Sequence, residues 1–222
     1  MKTVVVTGAN RGIGLGFAKY YAKNGFKVFA LCRKASDELK NLNLNLNLNL
    51  NVNVIENFDL SSSVGDIRQL LGDIAQIDIL INNAAQWGDE KLGQINYQNI
   101  LDNINLNALG SLKVTETFLD RLQVGSKIIF MTSRMGSISD NGSGGRYAYR
   151  MSKAALNSAA KSVSIDLKAK GIPVGIIHPG WVQTEMGGPR ALMSVDKAVR
   201  DINTILENLN IENTGTFWHS SG

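Results

Sequence analysis

The chain has 222 residues, 44% of them apolar, and a formal charge of +4, which is enough apolar material for one substantial core and no sign of an extended or disordered protein. Its Lys and Arg residues are scattered and not interleaved with aromatics, which argues against a nucleic-acid surface. No stretch approaches the ~18 apolar residues of a membrane span, and the single Cys32 cannot make an internal disulfide. With no basic-then-apolar leader before the first strand the expected address is cytoplasmic, and with no internal linker residues 1–222 are expected to form one domain.

The first element is the β-branched run Thr3-Val4-Val5-Val6-Thr7, read as a buried parallel strand. Gly8, Gly12 and Gly14 follow at Gly-x-x-x-Gly-x-Gly spacing. Glycines here permit a tight turn and a close approach of backbone to a pyrophosphate at the next helix N-terminus, although the commoner dinucleotide fingerprint is Gly-x-Gly-x-x-Gly. A helix is expected from Gly12 to Asn24, capped by Gly25, and then a strand from Lys27 to Leu31. The stretch Asn41 to Val54 alternates Asn with Leu and then Val. It predicts a short or distorted helix, a connector with its Leu side buried, and a strand near Val52 to Ile55. Apolar strands are then expected at Ile77–Ile81, Lys127–Thr132 and Pro173–Ile177, with amphipathic helices at Tyr97–Leu122 and Tyr149–Lys170 and a last helix from about Ser194. The alternation predicts an α/β fold: a doubly wound parallel sheet of Rossmann type, about seven strands, with helices on both faces.

The polar signatures sit where these strands end, the edge at which such sheets bind ligands. Tyr149 and Lys153 are one helical turn apart, so they share a face. A nearby ammonium is expected to lower the phenol's pKa and fit it for proton transfer. Taken alone, Ser133 reads as a strand terminator and Asn107 as a backbone-bonding residue.

In order, Thr7-Gly8-x-x-x-Gly12-x-Gly14, Asp59, Asn82-Asn83-Ala84, Asn107, Ser133, Tyr149-x-x-x-Lys153 and Pro179-Gly180-x-x-x-Thr184 resemble the short-chain dehydrogenases/reductases along nearly the whole chain. The stretch from His178 to Gly188 is similar to carbonyl reductases of the sniffer and C-factor type. Departures are Ala85 where the family usually has Gly, a longer interval from Ser133 to Tyr149, and a tail, Gly215 to Gly222, that stops short of the usual end. The resemblance implies reduction of a small aldehyde or ketone, with Tyr149 as acid, Lys153 assisting it and holding the nicotinamide ribose, Ser133 holding the substrate oxygen and Asn107 supporting a proton-supplying water. It implies a cofactor held by Gly8, Asn10, Arg11, Gly12, Ile13 and Gly14 at the pyrophosphate, by Asp59 and Leu60 at the adenine, and by Asn82 and Ala84 at the adenosine ribose. Pro179, Gly180, Val182 and Thr184 would meet the carboxamide and pyrophosphate. The second strand ends in Cys32-Arg33-Lys34 with no carboxylate, so Arg33 and Arg11 favour NADP(H) over NAD(H). Trp87, Met135, Trp181 and Met186 are candidates for the substrate rim, with Trp87 and Met135 equally readable as packing. No metal site is expected. Two alternatives from the resemblance are a cofactor-sensing protein with little turnover and an epimerase or dehydratase, and pairing into a homodimer or homotetramer through the helical stretches Asn107 to Leu122 and Tyr149 to Lys170 is the family default.

Overall fold

Seven strands lie parallel in one sheet in the computed structural model, which describes residues 1–44, 51–70 and 74–222. They are β1 (Thr3–Thr7), β2 (Lys27–Leu31), β3 (Val52–Ile55), β4 (Ile77–Asn82), β5 (Leu122–Met131), β6 (Val174–His178) and β7 (Phe217–His219). Their spatial order is β3-β2-β1-β4-β5-β6-β7. The chain winds outward one way from β1 and, after β3, returns to wind the other way, leaving a crevice beyond the C-terminal ends of β1 and β4. The helices are α1 (Gly12–Lys23), α2 (Asp37–Lys40), α3 (Val64–Leu70), α4 (Tyr97–Ile104), α5 (Gly110–Thr117), α6 (Tyr147–Asp166) and α7 (Val195–Asn208).

Side chains alternate across a strand, so each strand feeds two cores. Val4, Val6, Val28, Ala30, Ile79 and Ile81 face one way and pack with Phe17 and Tyr21 of α1 and Val199, Ile202 and Leu206 of α7. Val5, Phe29, Leu31, Leu80, Ile128 and Phe130 face the other way, against Ile67 of α3, Val114 of α5 and Leu156 and Ala160 of α6. Each such side chain contributes about 1.5–3 kcal/mol of burial, and with both faces covered β1, β2, β4 and β6 have no water-facing row. That is why they read as continuous apolar runs.

Three elements differ from the sequence reading. The stretch expected as one helix from Tyr97 is interrupted by a π turn, Asn105–Leu109, between α4 and α5, and it ends at Thr117. Inserting one residue into the helical register turns Asn107 inward, where its amide is fully bonded. Strand β5 begins at Leu122, five residues earlier than expected, with a register irregularity between Ile77 and Ile79 of its partner. Helix α6 starts at Tyr147. In the Asn-rich stretch a 3₁₀ turn, Asn41–Leu44, follows α2 and β3 begins at Val52; the expected burial of a Leu face at 46–50 falls outside the described residues. Helix α1 ends at Lys23, with Asn24 as cap and Gly25 at φ 78°.

Candidate active site

The glycine turn is built so tightly that only hydrogen fits at two places. A Cβ on Gly14 would lie 2.2 Å from the carbonyl oxygen of Gly8, and one on Gly8, which has φ 66°, would lie 2.9 Å from Ala84 Cα. The turn therefore folds onto the start of α1 and abuts the chain leaving β4. The first turn of α1 has no acidic residue and no side-chain cap, so its free N–H groups and positive dipole end suit an anion. Here opens a cleft of about 520 Å³. Gly8, Asn10, Arg11, Gly12 and Ile13 line it at the turn, Arg33, Asp59 and Leu60 at one end, and Ala84, Tyr149, Lys153, Pro179, Thr184 and Met186 toward the other.

At the first end, Arg33 follows β2 and Asp59 follows β3. The Ser61 N–H donates to Asp59 Oδ1 at 2.9 Å; this hydrogen bond, with a smaller contribution from Arg33, holds the carboxyl below its usual range. Arg11 forms an ion pair with Glu185, which links the glycine turn to the loop after β6. Asn82 does not line the cleft. It is the last residue of β4, buried, and its amide donates to Thr115 Oγ1 at 3.0 Å. Its neighbour Asn83 lines the cleft instead and donates to the Thr7 carbonyl at 2.9 Å. Alternation of side chains at the strand end decides which asparagine is inward.

At the other end Tyr149 and Lys153 occupy adjacent turns of α6, both buried, with the Lys153 Nζ 5.6 Å from the centre of the phenol ring. Nζ donates to the Met131 carbonyl at 2.9 Å, at the end of β5. Burial pushes the Lys153 ammonium down to about 7 and the Tyr149 phenol up to about 12, the latter partly offset by a hydrogen bond with Ser133. The expected lowering of the phenol is thus not supplied by the protein. The low-dielectric site disfavours both charges, and at neutral pH the lysine is balanced between its two forms. Ser133, two residues beyond β5, caps the 3₁₀ turn Arg134–Gly136, where its hydroxyl accepts the Met135 N–H at 3.1 Å. Asn107 is fully buried; it accepts the Gln86 N–H at 2.8 Å and donates to the Gln86 carbonyl at 3.0 Å and to Ser152 Oγ at 2.8 Å. Its amide ties the loop after β4 to the helix bearing Tyr149, while its backbone carbonyl accepts from Ser111 Oγ at 3.1 Å.

That loop also presents Trp87, whose ring lies 4.6 Å from the Tyr149 ring, centre to centre. Beside it, Glu90 is buried and caps α6: its carboxylate accepts the Ala148 N–H at 3.0 Å and an amide N–H of Asn99, and its carbonyl accepts the Arg146 N–H at 2.7 Å. Gly88 is required between them, since a Cβ there would meet Ala148 Cβ at 2.6 Å. Gly14, Gly180, Val182, Trp87, Met135 and Trp181 stand outside the cleft lining. Val182 is buried in a bridge to Met193, and Trp181, half exposed, donates to the Gly187 carbonyl at 2.7 Å. Among the described residues no cluster of three His, Cys, Asp or Glu could hold a metal, and no helix is long and apolar enough to cross a membrane.

Residues 2–194 match the family model described as short chain dehydrogenase. The chain belongs to this oxidoreductase family. Among curated short-chain dehydrogenase relatives, the C-signal protein of Myxococcus xanthus is 44% identical over 149 residues, covering 66% of this chain and 90% of its own. Carbonyl reductase Sniffer of D. melanogaster has a solved structure that superposes with a TM-score of 0.87 at 31% identity, over 100% of this chain and 98% of that one. An NADPH-bound carbonyl reductase from chicken fatty liver superposes at 0.89 with 28% identity, over 100% and 97%. Within the dehydrogenase fold, Ser133, Tyr149 and Lys153 are brought together, and Arg11 and Arg33 share the cleft with Tyr149 and Lys153, while Ser133 lies outside its lining. Asn83, Glu90 and Arg146 were missed by the sequence reading. Only the Gly88-x-Glu90 spacing after β4 carried a trace of the cap, and nothing local tied it to α6.

Proposed function

We propose that the chain reduces the carbonyl of a small aldehyde or ketone to an alcohol, using NADPH in preference to NADH. The observation that carries this reading is a neutral, buried phenol, hydrogen-bonded to Ser133 and a turn away from buried Lys153, at one end of a cleft whose other end offers Arg11 and Arg33 with no carboxylate at the end of β2. The NADPH-bound relative supports the cofactor, and the two carbonyl reductases support the reaction. The cleft also fits the group chemically, with a glycine turn that admits no side chain, an open helix N-terminus and cations for phosphate.

The nucleotide would be held by Gly8, Asn10, Arg11, Gly12 and Ile13 at the pyrophosphate, by Arg11 and Arg33 at the 2′-phosphate, and by Asp59, Leu60 and Ala84 along the adenosine. Lys153 would meet the second ribose, and Pro179, Gly180 and Thr184 the carboxamide side. When bound, a reduced nicotinamide supplies the hydride. Ser133 donates a hydrogen bond to the carbonyl oxygen, and Tyr149 delivers its proton as that oxygen becomes an alkoxide. Lys153, poised near neutrality, stabilises the phenolate left behind and assists its reprotonation. Asn107 holds the loop after β4 against α6, so its part is positional. The loop from Met186 to α7 is short, which suits an open, tolerant pocket. Residues 1–222 act as one domain in the cytoplasm, paired through the segment 107–122 and α6, which expose Leu109, Leu119, Met151 and Ile165.

The test is a panel of aldehydes and ketones followed by loss of reduced-cofactor absorbance with NADPH and with NADH. Turnover with NADPH preferred is expected. The similarity to C-signal favours one competing reading, a cofactor-binding signalling protein: tight NADPH binding with no turnover on any carbonyl would select it.

A further inference from the structure

The backbone before α6 passes through three successive left-handed residues, Gly144 at φ 61°, Gly145 at φ 60° and Arg146 at φ 54°. A side chain is disfavoured in that conformation, and Asn57 is the only other non-glycine residue in it among the described residues. A third glycine would sit there freely. The reason for an arginine therefore lies in its side chain, and strain of this kind gathers at working sites. The guanidinium carbon stands 5.8 Å from the centre of the Trp87 ring, on the platform that itself lies 4.6 Å from the Tyr149 ring. The cation and the candidate acid thus touch the same indole. The guanidinium Nε forms an ion pair with Asp89 Oδ1 at 3.6 Å, a partly solvated contact in which the two side chains are 40% and 65% exposed. No hydrogen bond within the described residues uses its terminal nitrogens, so a planar fork that matches a carboxylate in two bonds is left partly exposed beside Trp87, outside the cleft lining.

Resting on the carbonyl-reductase reading, we infer that Arg146 and Trp87 form an anion-recognising subsite, and that the substrate class is a carbonyl compound bearing a carboxylate across a flat apolar spacer. Trp87 stacks the spacer, Arg146 pairs with the carboxylate, and Tyr149 meets the carbonyl. The Glu90 backbone carbonyl accepts the Arg146 backbone N–H at 2.7 Å, fixing the main chain from which the arginine side chain extends. The plainer possibility is a cation–π contact that only shields Trp87; it would treat charged and neutral substrates alike.

Two matched probes separate these: 4-carboxybenzaldehyde and its methyl ester, assayed with NADPH on the parent and on Arg146→Gly. Glycine suits the backbone here, so misfolding is not a concern, and NADPH affinity reports the integrity of the cleft, which Arg146 does not line. The parent is expected to prefer the acid, and the variant to lose roughly ten- to a hundredfold of the acid-over-ester ratio of kcat/KM, mainly through KM. Equal loss on both probes, or no preference in the parent, overturns the subsite. If neither aldehyde turns over, the carbonyl-reductase reading is judged separately, by the full panel of aldehydes and ketones. Calorimetric binding of 4-(hydroxymethyl)benzoate and its methyl ester to the NADP⁺-loaded protein still judges the subsite. Binding of the acid tightened over the ester in the parent and levelled in Arg146→Gly supports it, and equal binding in the parent overturns it.

Discussion

Two side chains carry most of the proposed chemistry, and each can be removed without disturbing the other's role. Tyr149→Phe deletes the proton source while leaving the ring packed against Trp87. Turnover is expected to be abolished with NADPH affinity nearly intact; a variant retaining most of the parent's turnover would show the acid to be another group. Arg33→Ala removes a charge-assisted contact worth about 1.5–3 kcal/mol, so NADPH should bind roughly ten- to a hundredfold more weakly. NADH, without the 2′-phosphate, should be little affected. Fluorescence titration with both cofactors checks this, and equal weakening of the two would give Arg33 a structural role.

Elements are joined at the site by buried amides and carboxylates more than by apolar contact. Asn107, in its π turn, bonds both polar groups of Gln86 and the Ser152 hydroxyl. Asn107→Ala leaves those buried groups unpaired at a cost of about 1–3 kcal/mol, so a fall in Tm of roughly 5 °C is expected in thermal melts. The fall should come with reduced turnover, because the Trp87 loop loses its tie to α6; an unchanged Tm would show that water replaces the amide. These links explain what a reader of the sequence could and could not see. Strands β1, β2 and β4 are mostly apolar runs, β3 closes an Asn/Val alternation, and the glycine turn and the Tyr149–Lys153 pair are local patterns, so all were legible. The π turn was not, since one inserted residue barely alters the helical period. Nor was the choice of Asn83 over Asn82, which depends on where β4 ends, nor the Glu90 cap, whose partners Arg146 and Ala148 lie more than fifty residues away.

The whole molecule bears the cost of a site that buries a cation. Lys153 titrates near 7 when folded against an ordinary 10.5. Between those values the unfolded chain binds a proton that the folded one does not, so stability rises with pH across that window; the deficit is complete below it. Tyr149, raised to about 12, acts oppositely, its contribution fading only as pH climbs from 10 towards 12. Lys153→Met should therefore melt higher than the parent at neutral pH, by roughly 3 °C or more, with the gap closing as pH approaches 10. Melts of both proteins over that range test it, and a gap that does not vary with pH would mean that burial does not lower the lysine's pKa in the folded state.

The ion pair between Arg11 and Glu185 spans the mouth of the same cleft. The proposed phosphate end thus already contains a competitor anion, and a dianionic guest gains only the difference between two ionic contacts with Arg11. Added electrolyte weakens the resident contact along with the new one. Affinity for NADPH should consequently fall less steeply with ionic strength than the cations facing the cleft suggest, and Glu185→Gln should make that dependence steeper while tightening binding at low salt.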